Sequence, residues 1–407
     1  MLRFLTSGES HGPALTVVVE GLPAGLPIDR AAIDADLKRR QGGYGRGGRM
    51  KIESDSVEVL AGIRHGRTLG SPVTLLIRNK DYENWRDVMS PDPAPPAAAE
   101  RRALKRPRPG HADLAGAMKY DTLDLRNVLE RASARETTSR VAAGALAKAL
   151  LAQAGVTIRS HVLAIGRAAL APERTVGFDE LERVDLSPVR CVDAEAARAM
   201  IAEIDRAKQD GDSVGGAFEV VATGVPPGLG SFAQWDRRLD GRIAQGLMSI
   251  PAVKAVSIGA GFRAAETRGS AFHDEILFEQ ERGLVRPSNR AGGLEGGVTN
   301  GEELRAQCII KPIPTLVMPL RSVDLRTKEA QSASVERSDT CVVPAAGVVG
   351  EAMLALVLAD ALLEKCGGDS LAELLDHLQA TRARMRPFHR GGEEAGATGG
   401  TPASKDG

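Results

Sequence analysis

Apolar positions along the chain fall into two rhythms. Ala14–Glu20 and Val73–Arg78 are short apolar runs rich in β-branched residues and predict strands. Further strands are predicted near Ser56–Leu60, Ala217–Thr223, Ala255–Gly259 and Ala306–Lys311. Elsewhere the spacing is helical. Arg30–Arg40 carries Ile33 and Leu37 on one face, with Asp29 placed to cap it. Thr137–Ala154, Ala194–Gln209, residues 237–249, Gly350–Lys365 and Asp369–Met385 also read as helices, the last capped by Asp369 or Ser370. Gly350–Lys365 is apolar on all sides, so it is expected inside the protein.

Between these elements lie glycine- and proline-rich links. Gln41–Met50 (QGGYGRGGRM) and Arg286–Gly301 (RPSNRAGGLEGGVTNG) are glycine-rich loops. Residues 86–110 are rich in Pro, Ala and Arg and read as a long surface loop anchored by Trp85. His389–Gly407 has no hydrophobic period and is predicted to be a disordered tail after a single large domain, residues 1–388. A weak echo links Gly62–Lys80 to Gly296–Lys311. Both run glycine, turn, glycine, strand, lysine, as two related halves or chance would give. The mixture of helices and strands tempts one toward a doubly wound sheet, but no strand–GxGxxG–helix unit is present.

Composition narrows the class. At 43% hydrophobic and 26% charged residues, the 407-residue chain can bury a core. Lys+Arg and Asp+Glu each number 53, so any basic patch is local. Only 3% of residues are aromatic, too few for a base-stacking platform. Cys191, Cys308, Cys341 and Cys366 are too widely spaced for a metal motif and read as thiols of a reducing compartment. The N-terminus lacks a signal peptide's apolar core, and no run reaches the roughly 18 residues of a membrane span. A cytoplasmic protein with no membrane or nucleic-acid partner is expected.

The densest chemistry lies in Arg106–Arg140. Arg106 and Arg108 sit between prolines, His111 follows Gly110, and Arg131, Ser133, Arg135 and Glu136 precede an Ala-rich helix. Guanidinium groups fork onto phosphate or carboxylate, and imidazole exchanges a proton near neutral pH. A helix entry offers unsatisfied N–H groups to an anion. The segment therefore reads as a site for a small phosphorylated, carboxylated ligand with proton transfer. Arg40, Arg46 and Arg49 flank the first glycine-rich loop, where they can converge on one anion. Of the basic run Arg101, Arg102, Lys105, Arg106 and Arg108, only Arg108 is placed in the site.

Four stretches together resemble the chorismate synthase family: SGESHG (7–12), RPGHAD (108–113), ERASARET (130–137), and AGGLEGGVTNG (291–301) paired with VERSDTC (335–341). They keep the family's order and span nearly all of residues 1–365. The resemblance implies an α+β fold, a β-α-β sandwich assembled as a homotetramer. It also implies anti-1,4-elimination of phosphate from 5-enolpyruvylshikimate-3-phosphate to give chorismate, with reduced FMN required but not consumed. The C6 hydrogen lost in that reaction is not acidic enough for simple base removal, so the flavin lends electron density and takes it back. The protein must hold a polyanion and help phosphate leave.

Carried onto this sequence, the resemblance places Ser10, Arg40, Arg46, Arg49, Arg108 and Arg135 on the substrate. His11 becomes the general acid at the phosphate, His111 the group beside the flavin ring, and Asp339 the proton carrier at the flavin N5. FMN positions fall on Arg131, Ala132, Ser133, Pro251, Ala252, Gly296, Lys311, Pro312, Ile313, Pro314, Thr315 and Arg337. Ala132 and Pro314 stand where other members carry hydroxyl residues, so backbone contacts are expected there. His65, His161, His273, His377 and His389 match no motif and read as structural. The resemblance leaves open whether the chain reduces its own FMN with NADPH. Two other readings are an RNA-binding protein using GGYGRGGR and an NAD(P)H-dependent flavin reductase. Balanced charge and scarce aromatics weigh against the first.

Overall fold

A computed structural model describes residues 1–47, 54–93, 100, 102–280, 283–336, 338–385 and 388. Its core is a sandwich of two antiparallel sheets with helices between them. The first sheet takes β1 (Arg3–Ser7), β2 (Ala14–Glu20), β3 (Glu58–Ala61) and β4 (Val73–Arg78) in the order β1-β2-β4-β3. The second takes β5 (Thr157–Ile165), β6 (Ala168–Ala169), β7 (Gly216–Thr223), β8 (Val253–Ile258) and β9 (Leu304–Ile310) in the order β8-β9-β7-β5-β6. All pairings in both sheets are antiparallel, so a doubly wound sheet is excluded.

Alternation decides which face is inside. In β2, Leu15, Val17 and Val19 are buried while Thr16 and Val18 face outward, and β4 repeats the pattern with Val73, Leu75 and Ile77. Against this inner face packs α4 (Thr137–Gln153), and α1 (Arg30–Gln41) packs against α4. Against the second sheet packs α7 (Val343–Cys366), which also crosses α4. The crossing is close: a Cβ on Gly144 would lie 2.3 Å from the Ala352 Cβ. Helix α7 has no polar face because it has no solvent face, and each fully buried Leu in it adds about 1.5–3 kcal/mol. It starts seven residues earlier than the apolar run predicts, because Pro344 falls in its first turn, where proline costs nothing. Short helices α2 (Asp113–Tyr120) and α3 (Arg126–Ala132) precede α4, α5 (Ala194–Gln209) and α6 (Leu239–Met248) flank β7, and α8 (Leu371–Met385) closes the described fold. Of the two predicted caps for α8, Ser370 fills the role: its Oγ accepts the Glu373 N–H while Glu373 accepts the Ser370 N–H.

The echo between residues 62–80 and 296–311 has a structural basis. β1-β2-α1-β3-β4-α4 and β5-β7-α6-β8-β9-α7 follow the same order, with corresponding strands in corresponding places. Even a buried hydroxyl is repeated. Thr68 Oγ1 donates to the Pro23 carbonyl (2.6 Å) and accepts the Leu26 N–H (2.9 Å). Thr299 Oγ1 does the same with Pro226 (2.7 Å) and Leu229 (2.8 Å). The tail from residue 389, Arg49 and Arg337 lie outside the described residues.

Candidate active site

The two halves present the same ends to one cavity of about 770 Å³. Strands β4 and β9 end there at Asn79 and Lys311. Helices α4 and α7 begin there, preceded by Ser133–Arg135 and Ser338–Asp339. Six arginines (40, 46, 102, 108, 126, 135) and Lys311 line the cavity against Glu336 and Asp339, so it favours anions. A second part of the lining is small or apolar: Ala132, Ile250, Pro251, Ala252, Ile310, Ile313, Pro314, Val342, Ala345 and Val349.

The SGESHG turn hangs from β2. Gly8 has φ +101°, and a Cβ there would lie 2.3 Å from the Ala14 carbonyl, so only glycine makes this turn. Asn79 ties the turn to α4. Its amide donates to the Glu9 and Gly12 carbonyls, and its oxygen accepts Arg135 Nε (3.0 Å) and Nη2 (2.9 Å). Ser10 is buried, and its N–H donates to the Glu130 carbonyl (2.9 Å). Beside it, His11 Nδ1 lies 2.9 Å from Glu130 Oε1, and its ring stacks on Trp85 at 3.9 Å.

Arg40, Arg46 and Arg135 form the cationic floor. Arg135 Nη1 donates to Asp55 (2.6 Å), and Arg40 donates to Thr137 Oγ1 (2.9 Å) and the Ala134 carbonyl (2.8 Å). The buried Arg40 Nη1 has no hydrogen-bond partner among the described residues. Burial, with repulsion from Arg135 and Arg46, pulls the Arg40 guanidinium down to about 9 despite Asp55 and Asp339. Arginine stays charged at such a site, so the strain is relieved by an arriving anion. Asp339 bridges to the glycine-rich loop, meeting Arg46 at 3.0 Å and the Gly47 N–H at 2.6 Å.

His111 has its own carboxylate. Its Nδ1 lies 2.5 Å from Asp113 Oδ1, and Arg108 grips the same carboxylate through Nε (2.8 Å) and Nη2 (3.0 Å) while donating to Thr315 Oγ1 (2.9 Å). Burial of Asp113 opposes ionisation, but the bonds from His111 and Arg108 outweigh it and hold the group well below the usual carboxylate range. Lys311 Nζ donates to the Gly110 carbonyl, fixing the loop that carries His111.

The lining thus gathers Ser10, His11, Arg40, Arg46, Arg108, His111, Ala132, Ser133, Arg135, Pro251, Ala252, Lys311, Ile313, Pro314, Thr315 and Asp339. It does not gather Arg131, whose side chain donates to the Thr6 and Gly8 carbonyls, nor Pro312 or Gly296; Gly296 sits in a hairpin turn near Phe232. Arg102, which the sequence reading left outside, lines the cavity, with its guanidinium 3.9 Å from the Trp85 ring centre. Sequence reasoning also missed Trp85, Arg126, Glu130 and Asp113 as site residues. Glu130 and Asp113 stood inside the quoted motifs ERASARET and RPGHAD, where they signal partners for the two histidines.

The α+β sandwich and its polyanion-binding, acid–base cavity define an enzyme class that handles a phosphorylated, carboxylated small molecule. The family model for chorismate synthase matches residues 2–363. A chorismate synthase from Moorella thermoacetica is 57% identical over 386 residues, covering 95% of this chain and all of that one. One from Symbiobacterium thermophilum is 58% identical over 378 residues, covering 92% and 97%. A crystal structure of a chorismate synthase superposes with a TM-score of 0.77 at 42% identity, covering 95% of this chain and 99% of the other. The chain belongs to the chorismate synthase family.

Proposed function

We infer that the chain converts 5-enolpyruvylshikimate-3-phosphate to chorismate and phosphate, as a lyase of the shikimate pathway that needs reduced FMN. The observation that carries this reading is the cavity itself: cations in excess, an Arg40 Nη1 with no hydrogen bond among the described residues and Asp55 only at 4.0 Å, and two carboxylate-backed imidazoles at the family's motifs. The residues fit both ligands. A flat flavin ring suits the small and apolar lining at Ala132, Pro251, Ala252, Ile313 and Pro314, and its phosphate suits Lys311, Thr315 and, by resemblance, Arg337. Arg131, Pro312 and Gly296 are assigned to FMN on resemblance alone.

When bound, reduced FMN supplies electron density to the substrate and recovers it, so no net oxidation results. The chain's own groups do the rest. Arg40, Arg46, Arg108 and Arg135, joined by Arg49 on resemblance, neutralise the substrate's phosphate and carboxylates, and the charge growing on the leaving phosphate meets cations already in place. Ser10 lies next to that phosphate, and His11 gives it a proton. His111 holds a proton beside the flavin ring, and Asp339 carries one at the flavin N5.

Three finer assignments belong to the same reading. The chain acts in the cytoplasm, which fits four buried free thiols. The one described helix apolar enough to cross a membrane, Val343–Cys366, is instead largely buried in the core. It assembles as a homotetramer, which fits exposed Leu5, Val18 and Leu60 on the outer face of the first sheet. By the same resemblance, NADPH is a candidate reductant for FMN.

An anaerobic assay with chemically reduced FMN tests the reading. Chorismate and phosphate should appear in equal amounts while flavin is not consumed. Oxidised FMN should support turnover only when NADPH is added. Equal turnover with oxidised flavin and no reductant would contradict it.

A further inference from the structure

His11 can give a proton to the substrate only from a ring nitrogen whose protonation is fixed. Glu130, in α3 and four residues before the 3₁₀ turn that carries Arg135, is buried beneath this histidine, 3% exposed. Both of its oxygens are committed. Oε1 lies 2.9 Å from His11 Nδ1 and accepts Arg126 Nη1 (3.3 Å). Oε2 accepts the His11 backbone N–H (2.8 Å) and lies 3.1 Å from Nδ1. The carboxylate therefore grips the histidine by main chain and ring together. It cannot swing away without losing both.

The ring plane is fixed independently. Trp85, itself buried, stacks on His11 with the planes 28° apart, and Arg102 and Arg126 lie over the indole at 3.9 and 5.0 Å. Arg126 also reaches Glu336 at 3.0 Å, so the charged groups around the pair include Arg102, Arg126, Glu130 and Glu336 among the described residues. Burial of Glu130 opposes its charge, but His11 and Arg126 outweigh this and hold its carboxyl below the ordinary carboxylate range. A carboxylate at Nδ1 has two consequences. It stabilises the imidazolium, and it keeps a proton on Nδ1 after the other leaves, so that the transferable proton is the one on Nε2.

Resting on the proposed function, we propose that Glu130 is a positioning residue that fixes His11 in the Nδ1–H tautomer, with Trp85 setting the ring plane. Glutamine at this position keeps the shape but loses the charge, and its NH₂ can face Nδ1 and favour the wrong tautomer.

The first test needs no variant at position 130. ¹⁵N NMR of the imidazoles in the full-length protein, with His11 assigned from its loss in His11→Asn, should show neutral His11 protonated on Nδ1. An Nε2–H tautomer would overturn the proposal, and this arm decides the matter even if the wild-type protein makes no chorismate. The second test is a double-mutant cycle. Glu130→Gln should lower kcat by roughly 10²–10⁴-fold with KM little changed, and Glu130→Asp should recover part of the loss. In a His11→Ala background the same substitution should change kcat by less than about threefold. A further loss as large as in the parent would mean that Glu130 acts on something other than His11.

Discussion

Arg39 and Arg40 stand side by side at the end of α1 and belong to two different kinds of ion cluster. Arg39 turns toward the helix layer. It donates to Asp185, to Asp36, and twice to Glu351, each at 2.8 Å. Lys148, Arg190 and Ser160 fill the remaining positions on Glu351, which is wholly buried in α7. Arg40 turns toward the cavity, where other cations outnumber the acids and its Nη1 makes no hydrogen bond among the described residues, with Asp55 at 4.0 Å. The electrostatics follow. Burial pulls Arg39 down, but Glu351 and Asp36 more than compensate and push it above its ordinary value, whereas Arg40 is drawn down to about 9. A cluster whose charges are balanced holds elements together. One left with unbalanced charge is held there by the fold and completed by a ligand.

Breaking the balanced cluster should have the largest effect. Glu351→Ala removes the one wholly buried acid that Arg39, Lys148 and Arg190 share and leaves them Asp36 and Asp185, which are more exposed. A loss of about 3–5 kcal/mol is expected in denaturant unfolding. A variant as stable as the parent would mean the cluster does not hold α1 to α7. On the open side, Asp339→Asn should leave the melting temperature and FMN binding near wild type while kcat with excess reduced FMN falls by roughly 10²–10⁴-fold. Turnover within a few-fold of wild type would remove Asp339 from the chemistry and leave it a tether for Arg46 and Gly47.

A smaller change is expected for Arg46→Ala. Separate titrations should show substrate affinity reduced about tenfold or more while FMN affinity moves much less. A selective loss of FMN affinity would put the glycine-rich loop on the other ligand. The smallest effect is on pH dependence. Burial raises the Glu351 carboxyl, but Lys148, Arg39 and Arg190 outweigh it and carry it below its usual 4.5. Its stabilisation is therefore complete above that value and lost as pH falls through the lower folded value. Melting temperature should fall less steeply below about pH 4 in Glu351→Gln than in wild type, and parallel slopes would contradict the assignment.

The difference between Arg39 and Arg40 was only half legible in the sequence. Most strands and helices were, because β2, β4, α1 and α5 each bury one side and leave a readable period. β5 was not, because it is a largely buried strand holding Arg159, Ser160 and His161, polar residues that break the alternation; Ser160 and His161 bond Glu351 and Glu219. The short helices α2 and α3 lack capping side chains and were missed for that reason. Arg40 was singled out by the glycine-rich loop it precedes, and the family resemblance then placed it on the substrate. Nothing local distinguishes it from Arg39, since which guanidinium faces a buried glutamate depends on Glu351, 312 residues away. Glu130 was overlooked for the same reason: its partner, His11, lies 119 residues earlier.

If the cavity is a cationic site completed by its substrate, removing one of its buried cations should show in a calorimetric titration. 5-Enolpyruvylshikimate-3-phosphate would be titrated into the wild-type protein and into Arg40→Ala, with FMN bound in both. The account predicts an affinity roughly 30- to 3,000-fold weaker in the variant, with a melting temperature within about 3 °C of wild type. Unchanged affinity in a folded Arg40→Ala protein would contradict it.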